Sequence, residues 1–494
     1  MGAALTVRNA FRLRVWHAAL MALAVALAVG LIRPGASWGS SSYDPAGDPY
    51  SMQNLTAADG VQAWRSAGVT GRGVDVALID TGVAPVPALS GTGKIVNGPD
   101  LSLESQDPPL QHLDGNGHGT FMAGIIGGND GRPGGYRGVA PGARILSVKV
   151  GDANGGVDVS QVIAAIDWVV QHRHEHGLNI RVINLSFGTN SSQPYVLDPL
   201  AFAAEQAWKK GVVVVAAAGN RGVGGGLADP AYDPWLISAG AVDTMGTPSL
   251  ADDVPASFTA GAACGTCAAP TLLAPGMHLQ GLRVPGSYID VNNPGAALGD
   301  LYFRGSGTSE SAAYVSGAVA LLLQKYPRLT PDQVKQMLIA GAQPLPGASP
   351  LVQGSGELDL STLLGAPGRL RDAGRGHGGP GGLEPATGRG SLQLSRGDDV
   401  LSLNGVELVG EKDIFGKPFR AALMAALETA GHSWSGGRWN GSNWTGSSWS
   451  GSSWSGSSWS TLSWSGHSWS GSSWSGSSWS GSSWSGDAWS SFSW

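Results

Sequence analysis

Three short segments of the 494-residue chain carry the side chains of nucleophilic hydrolysis: Asp80-Thr81-Gly82, His118-Gly119-Thr120 and Gly307-Thr308-Ser309. A serine hydroxyl is a weak nucleophile at its own pKa. It needs a base to take its proton, and that base needs a carboxylate to orient it. Each triplet alone is an ordinary turn or loop signature, so the elements around it carry the weight. Asp80 closes the apolar run Val74 to Ile79, which reads as a strand buried on both faces and hence as part of a parallel sheet. The carboxyl end of such a strand is where open α/β sheets place their ligands. His118 follows the loop-forming Asp114-Gly115-Asn116-Gly117 and precedes Phe121 to Ile126, a buried helix of small and apolar residues. His172, His174 and His176 fit the polar end of another helix. Ser309 opens a helix over Glu310 to Tyr326, whose first N–H groups favour a developing oxyanion and which the same serine also suits as an N-cap.

A fourth element completes the pattern. The β-branched and alanine run from Gly211 to Ala218 ends in Gly219-Asn220. With the three triplets in the order Asp, His, Ser, the chain from roughly Asp44 to Leu364 resembles the subtilisin-like serine peptidases, the subtilase family. The resemblance implies Asp80, His118 and Ser309 as catalytic residues, with Asn220 donating its side-chain amide to the tetrahedral oxyanion. Thr308 and the Ser309 N–H assist. It also implies protein or peptide substrates and requires no metal or cofactor, while structural calcium is left open. Val182 to Gly188, including Ser186, Phe187 and Gly188, looks like an edge strand that pairs with substrate backbone. Gly155-Gly156-Val157 is its partner across the cleft, so that recognition is by strand addition. Ala217, Ala218 and Gly219 form the other pocket wall, with Ala228 at its floor. Small lining residues favour an apolar side chain before the scissile bond, and Arg221 at the rim repels Lys and Arg there.

Three departures from the family stand out. The usual Met-Ala-Ser-Pro-His run after the nucleophile is here Glu310-Ser311-Ala312-Ala313-Tyr314, and Glu310 is expected to bias the leaving-group side toward basic residues. Only about thirty residues separate Trp38 from the first core strand, too few for an inhibitory propeptide. Cys264 and Cys267, the two cysteines of the chain, lie in a short insertion. In an exported protein such a pair forms a local disulfide, and two ligands do not fill a zinc site.

Further strands are expected at Ile145 to Val150, Val182 to Phe187, Val212 to Ala218 and Leu236 to Val242, with a one-faced apolar helix over Val159 to His172. Pro331 to Ala340 reads as another helix and Gly354 to Leu360 as a closing strand. The fold class is therefore a three-layer α/β/α domain with a mostly parallel sheet, over residues 44–364. A net charge of −6 with 13% charged residues argues against nucleic-acid binding.

The ends differ from this domain. Within residues 1–37, Arg8, Arg12 and Arg14 precede an uncharged stretch of 18 residues, Val15 to Ile32, and then Pro34-Gly35-Ala36-Ser37. This fits a cleaved signal peptide, with a membrane anchor as the alternative, and either places the domain outside the cell. Residues 365–391 form a Gly/Pro/Arg-rich linker, and 392–430 a small strand-rich module or docking segment. In 431–494 a tryptophan recurs every five residues from Trp434 to Trp494, taking 13 of the chain's 19. A period of five gives no single stripe on a helix or strand. The Gly and Ser content reads as a flexible or loosely β-like tail. A cell-wall glycan or envelope partner, self-association, and a low-complexity appendage without partner all remain open for it. Two functions compete: an exported endopeptidase localised by its tail, and an envelope protein using the domain as a scaffold. The intact Asp80, His118, Asn220 and Ser309 favour the enzyme.

Overall fold

The computed structural model describes residues 43–365, 382–445, 448–449 and 462–465, apart from positions 106, 108, 133, 263, 266, 404 and 405. The expected leader and most of the repeat tail lie outside the described residues. Among the described residues no helix is long and apolar enough to cross a membrane.

A parallel sheet organises the region from Asp75 to Pro275. Its strands are β1 (Asp75–Asp80), β2 (Ile95–Asp100), β3 (Arg144–Lys149), β4 (Ile180–Leu185), β5 (Val213–Ala217), β6 (Ile237–Asp243) and β8 (Leu272–Pro275), in the order β2-β3-β1-β4-β5-β6-β8. A two-residue strand β7 (Val254–Pro255) pairs antiparallel with β6. All six residues of β1 are buried, as a strand covered on both faces must be, and its register sets Asp80 opposite Lys149.

The helices are α1 (Met52–Ala58), α2 (Val61–Ser66), α3 (His118–Gly127), α4 (Val159–His172), α5 (Pro199–Lys209), α6 (Thr308–Lys325) and α7 (Pro331–Gly341). Crossovers between parallel strands place α4 and α5 together on one face, while α3 and α6 pack together against the other. Helix α6 has 16 of its 18 residues buried, which is why its sequence is apolar or small all round rather than on one stripe. It runs beneath β4, β5, β6 and β8 and fixes Ser309 to the middle of the sheet. Asp158 and Gln161 close a capping box at the start of α4.

Four expectations need correction. Gly354 to Leu360 forms no strand, Glu357 making only isolated bridges to Leu273 and Gln343. The segment Val182 to Gly188 is not an edge strand, because β4 hydrogen-bonds to β1 on one side and β5 on the other. Only Ser186, Phe187 and Gly188, beyond its end, remain for a substrate. Residues 392–430 are less strand-rich than expected: they carry α8 (Leu392–Arg396), α9 (Ala421–Ala430) and the short strands Val400–Leu403 and Val406–Glu407. The repeat, finally, begins as part of the folded core. Its first units form a ladder of antiparallel pairs, with Trp434 opposite Trp439. Trp439 and Trp444 are buried in the same apolar cluster as the sheet. The Trp439 indole donates to Asp167 Oδ2 at 2.7 Å and that of Trp434 to the Ala164 carbonyl at 3.0 Å, both on α4. A five-residue period suits this ladder, since two strand residues and a tight turn return the chain to the same face.

Residues 391–415 clamp the same region. Arg396, fully buried, pairs through Nε with Asp158 Oδ2 at 2.6 Å, and its Nη1 donates to the Gly410 carbonyl at 2.8 Å. The Thr189 hydroxyl donates to the Ser395 carbonyl at 2.5 Å.

Candidate active site

The carboxyl end of β1 and the start of α3 meet at a hydrogen bond. His118 Nδ1 lies 2.8 Å from Asp80 Oδ1, with both side chains about 1% exposed. The Thr81 N–H also donates to Asp80 Oδ1, at 2.7 Å. Burial works against a charged imidazole, but the Asp80 carboxylate outweighs it, with lesser help from Glu310 and Asp114, and the His118 pKa is raised.

Asp114, taken from sequence as part of a loop, proves to be the clamp of this junction. One oxygen accepts from the Thr81 hydroxyl at 2.9 Å and the Gly117 N–H at 2.7 Å; the other takes the N–H and hydroxyl of Thr120, at 2.7 and 2.6 Å. The Thr81 hydroxyl in turn accepts the Gly119 N–H at 2.9 Å. One carboxylate thus ties the residue after Asp80 to the turn that carries His118. The signal available in sequence was an acid four residues before the histidine, among residues otherwise chosen for turning. Glycine is required at 119, where a Cβ would stand 2.1 Å from the Gly82 carbonyl oxygen.

Ser309 is the second residue of α6 and fully buried. Its carbonyl accepts the Ser186 hydroxyl at 3.1 Å. The Ser186 side chain therefore braces the serine backbone. Asn220 Oδ1 accepts both the N–H and the hydroxyl of Thr308 at 2.9 Å, and the Gly219 N–H donates to that hydroxyl at 3.0 Å. With its oxygen committed to Thr308, the amide turns its NH₂ end away from that residue. Thr308 thus orients Asn220 by side chain as well as by backbone.

Gly188, Ala218, Gly219 and Ala228 come together. A Cβ at Gly188 would lie 2.7 Å from that of Ala228, Gly219 sits at φ 107 beside the same residue, and the Ala228 N–H bonds the Ala218 carbonyl at 2.9 Å. Ala217 is inside β5, and Phe187 is 1% exposed. Gly155 and Gly156 belong to a tight loop closed on Asp152, whose Oδ1 takes the Gly156 N–H at 2.8 Å; they form no strand here. Arg221 is partly buried, and burial lowers its pKa while Asp398 and Asp399 pull the other way. These two acids belong to the segment beyond the linker, so the positive rim read from sequence has a counter-charge that sequence position hides.

Glu310 is fully buried, so it is not presented to the leaving-group side of a substrate as expected. Cys264 and Cys267 are joined by a disulfide with a Cα–Cα distance of 5.1 Å. Among the described residues no group of three or more His, Cys, Asp or Glu is placed to hold a metal ion.

A family model described as the subtilase family matches residues 71–375. Among curated proteins, the chain is 36% identical over 302 residues to serine protease AprX of Bacillus subtilis (strain 168), covering 60% of this chain and 67% of that one. It is 33% identical over 298 residues to subtilisin DY of Bacillus licheniformis, covering 60% of this chain and 91% of the relative. With minor extracellular protease Epr of Bacillus subtilis (strain 168) the identity is 30% over 294 residues, covering 58% and 38% respectively.

Proposed function

Because this chain belongs to the subtilase family of serine endopeptidases and acts on protein or peptide substrates, we propose that Asp80, His118 and Ser309 form its catalytic triad and that Asn220 supplies the oxyanion donor. The observation that carries this reading is the buried 2.8 Å contact between His118 Nδ1 and Asp80 Oδ1. It fixes the tautomer in which Nε2 is the acceptor, the form a general base needs. His118 then takes the Ser309 proton during attack and returns it to the leaving amine, while Asp80 stabilises the imidazolium without taking the proton. The hold of Thr308 on Asn220 supports the oxyanion role, since a donor aimed in advance costs no reorganisation when charge develops.

We further infer that substrate lies along Ser186 to Gly188 with the opposing segment Gly155 to Val157. The pocket between Gly188 and Ala218–Gly219, floored by Ala228, accepts an apolar side chain. Asp398 and Asp399 offset Arg221, so the apolar preference comes from pocket shape rather than repulsion. The basic, then apolar amino terminus supports export, and residues 44–364 form the peptidase unit with 382–445 docked upon it. A glycan or envelope partner for the tail falls to the repeats after Trp449, because Trp434, Trp439 and Trp444 are engaged with the domain.

Labelling with a serine-directed fluorophosphonate tests the centre of this reading. The folded protein is expected to react, and Ser309→Ala not to. A wild-type protein that stays unlabelled, or an alanine variant that still labels, overturns it.

A further inference from the structure

The residue after the nucleophile is an acid with nowhere to put its charge. Glu310 lies in the first turn of α6 and is fully buried. Among the described residues neither carboxylate oxygen meets a hydrogen-bond partner outside the residue itself. Its surroundings are apolar and close: a Cβ at Gly305 would stand 2.6 Å from Glu310 Oε1 and also 2.6 Å from the Phe121 ring. Phe121 is one turn along α3 from His118, on the helix that packs against α6. The carboxyl group thus occupies the seam between the helix of the base and the helix of the nucleophile.

The charged groups that face it are few. From α3 comes His118 and from the end of β1 comes Asp80, with Asp114 behind the imidazole. Arg304, on the strand passing Glu310, is turned instead to Asp48 Oδ2 at 2.5 Å and the His278 carbonyl at 2.6 Å. Helix α6 itself offers the acid no cation nearby: its lysine, Lys325, ends the opposite terminus. His118 is therefore the cation against which a Glu310 carboxylate can be balanced.

We propose that Glu310 is a positioning residue acting through His118: neutral when the site is at rest at low pH, and, once ionised, holding the imidazolium that forms as Ser309 loses its proton. The inference rests on the triad reading given above. Burial, eased by His118, pushes the Glu310 pKa up to about 8. Glu310 ionisation thus falls in the alkaline range where such chemistry is followed. Linkage is reciprocal: a carboxylate stabilised by His118 raises the His118 pKa by the same coupling. The neutral base is then delayed to higher pH, while the imidazolium of the transition state is better supported once the acid has ionised.

The pH profile of kcat/KM on a neutral chromogenic peptide tests this with the full chain. In Glu310→Gln the acid limb is expected to move to lower pH by about one unit, the size a single neighbouring charge produces at an intermediate dielectric. The further step near pH 8 is expected to vanish. Glu310→Asp, which keeps the carboxyl group, restores a two-step profile. A purely structural role would change the height of the curve and leave its inflections in place. Where Glu310→Gln folds poorly, titration of the His118 imidazole N–H resonance in Ser309→Ala, with and without Glu310→Met, which puts back the apolar residue usual in the family, reads the same coupling without turnover. Identical inflections in wild type and Glu310→Gln, or a His118 titration indifferent to residue 310, overturn the proposal. An enzyme that labels with fluorophosphonate yet shows unmoved inflections rejects the Glu310 role alone, whereas absence of labelling rejects the triad reading.

Discussion

Replacing Arg396 by methionine removes a charge that has no solvent to fall back on. The guanidinium is 0% and the Asp158 carboxylate 2% exposed, with the Nε–Oδ2 contact at 2.6 Å and a second from Nη2 at 3.3 Å. The same group satisfies the Gly410 carbonyl at 2.8 Å and the Lys412 carbonyl. Taking one partner from a buried ion pair costs about 3–5 kcal/mol, most of it the penalty for the abandoned carboxylate. Because the pair joins residues 238 apart, that cost falls on docking of the 391–445 segment rather than on the sheet. It shifts the docking equilibrium by roughly two to four powers of ten. Trypsin sites at Lys412 and Arg420 report the undocked state when opening is fast relative to cutting. In a Ser309→Ala background, to prevent self-digestion, Arg396→Met is expected to raise the cleavage rate there by about a hundredfold or more. The double variant Asp158→Asn, Arg396→Met should recover part of the loss, since no buried charge is left alone. Equal cleavage rates in parent and Arg396→Met would refute the docking role of the pair.

Other outcomes follow from the same geometry. Asn220→Ala should lower kcat by roughly 10²–10³ with little change in KM, a magnitude known from the corresponding donor in subtilisin itself, a member of this family; Thr308→Val should give a smaller loss by releasing the Asn220 amide, and unchanged kcat in both would count against the oxyanion assignment. Burial raises the carboxyl pKa of Asp59 and Asp167 to about 7 and of Glu310 to about 8. The native state therefore keeps protons that the unfolded chain releases above about pH 4, so stability falls as pH rises from there to about 8. The raised His118 pKa acts in the same direction, and thermal melting of Ser309→Ala near pH 5 and pH 8 should show the higher midpoint at pH 5. Asp399→Asn should leave cleavage after apolar residues unchanged and reduce it after Lys or Arg, as peptide-library profiling would register; an unaltered profile would show that the acid has no bearing on the pocket.

The catalytic region was legible because its signals are local. Apolar runs such as Val74 to Ile79 give buried strands, and the helix over 159–172 stands where its stripe of apolar residues placed it. Asp80, His118, Asn220 and Ser309 each sit at an element end that local sequence marks. What remained hidden depends on partners far away in the chain. Asp114 looks like a turn residue until Thr81 and Thr120 are brought to it, and Arg221 looks like a bare cation until Asp398 and Asp399 arrive. Ser186 reads as substrate-facing because its strand end does, and nothing beside it in sequence shows that its hydroxyl is taken by the Ser309 carbonyl. The tryptophan repeat misled for a related reason: periodicity describes a chain by itself, and the face of α4 that receives Trp434 and Trp439 carries no periodic mark of its own.

The indole of Trp439 reaches Asp167 across 272 positions of sequence. A polypeptide delivered amino end first presents that helix face long before its cover exists, and for this interval the surface is open to water and to other chains. Contacts of such separation close late and slowly. The peptidase core can take shape in the meantime, but its outer wall is finished only once residues 434–444 have followed.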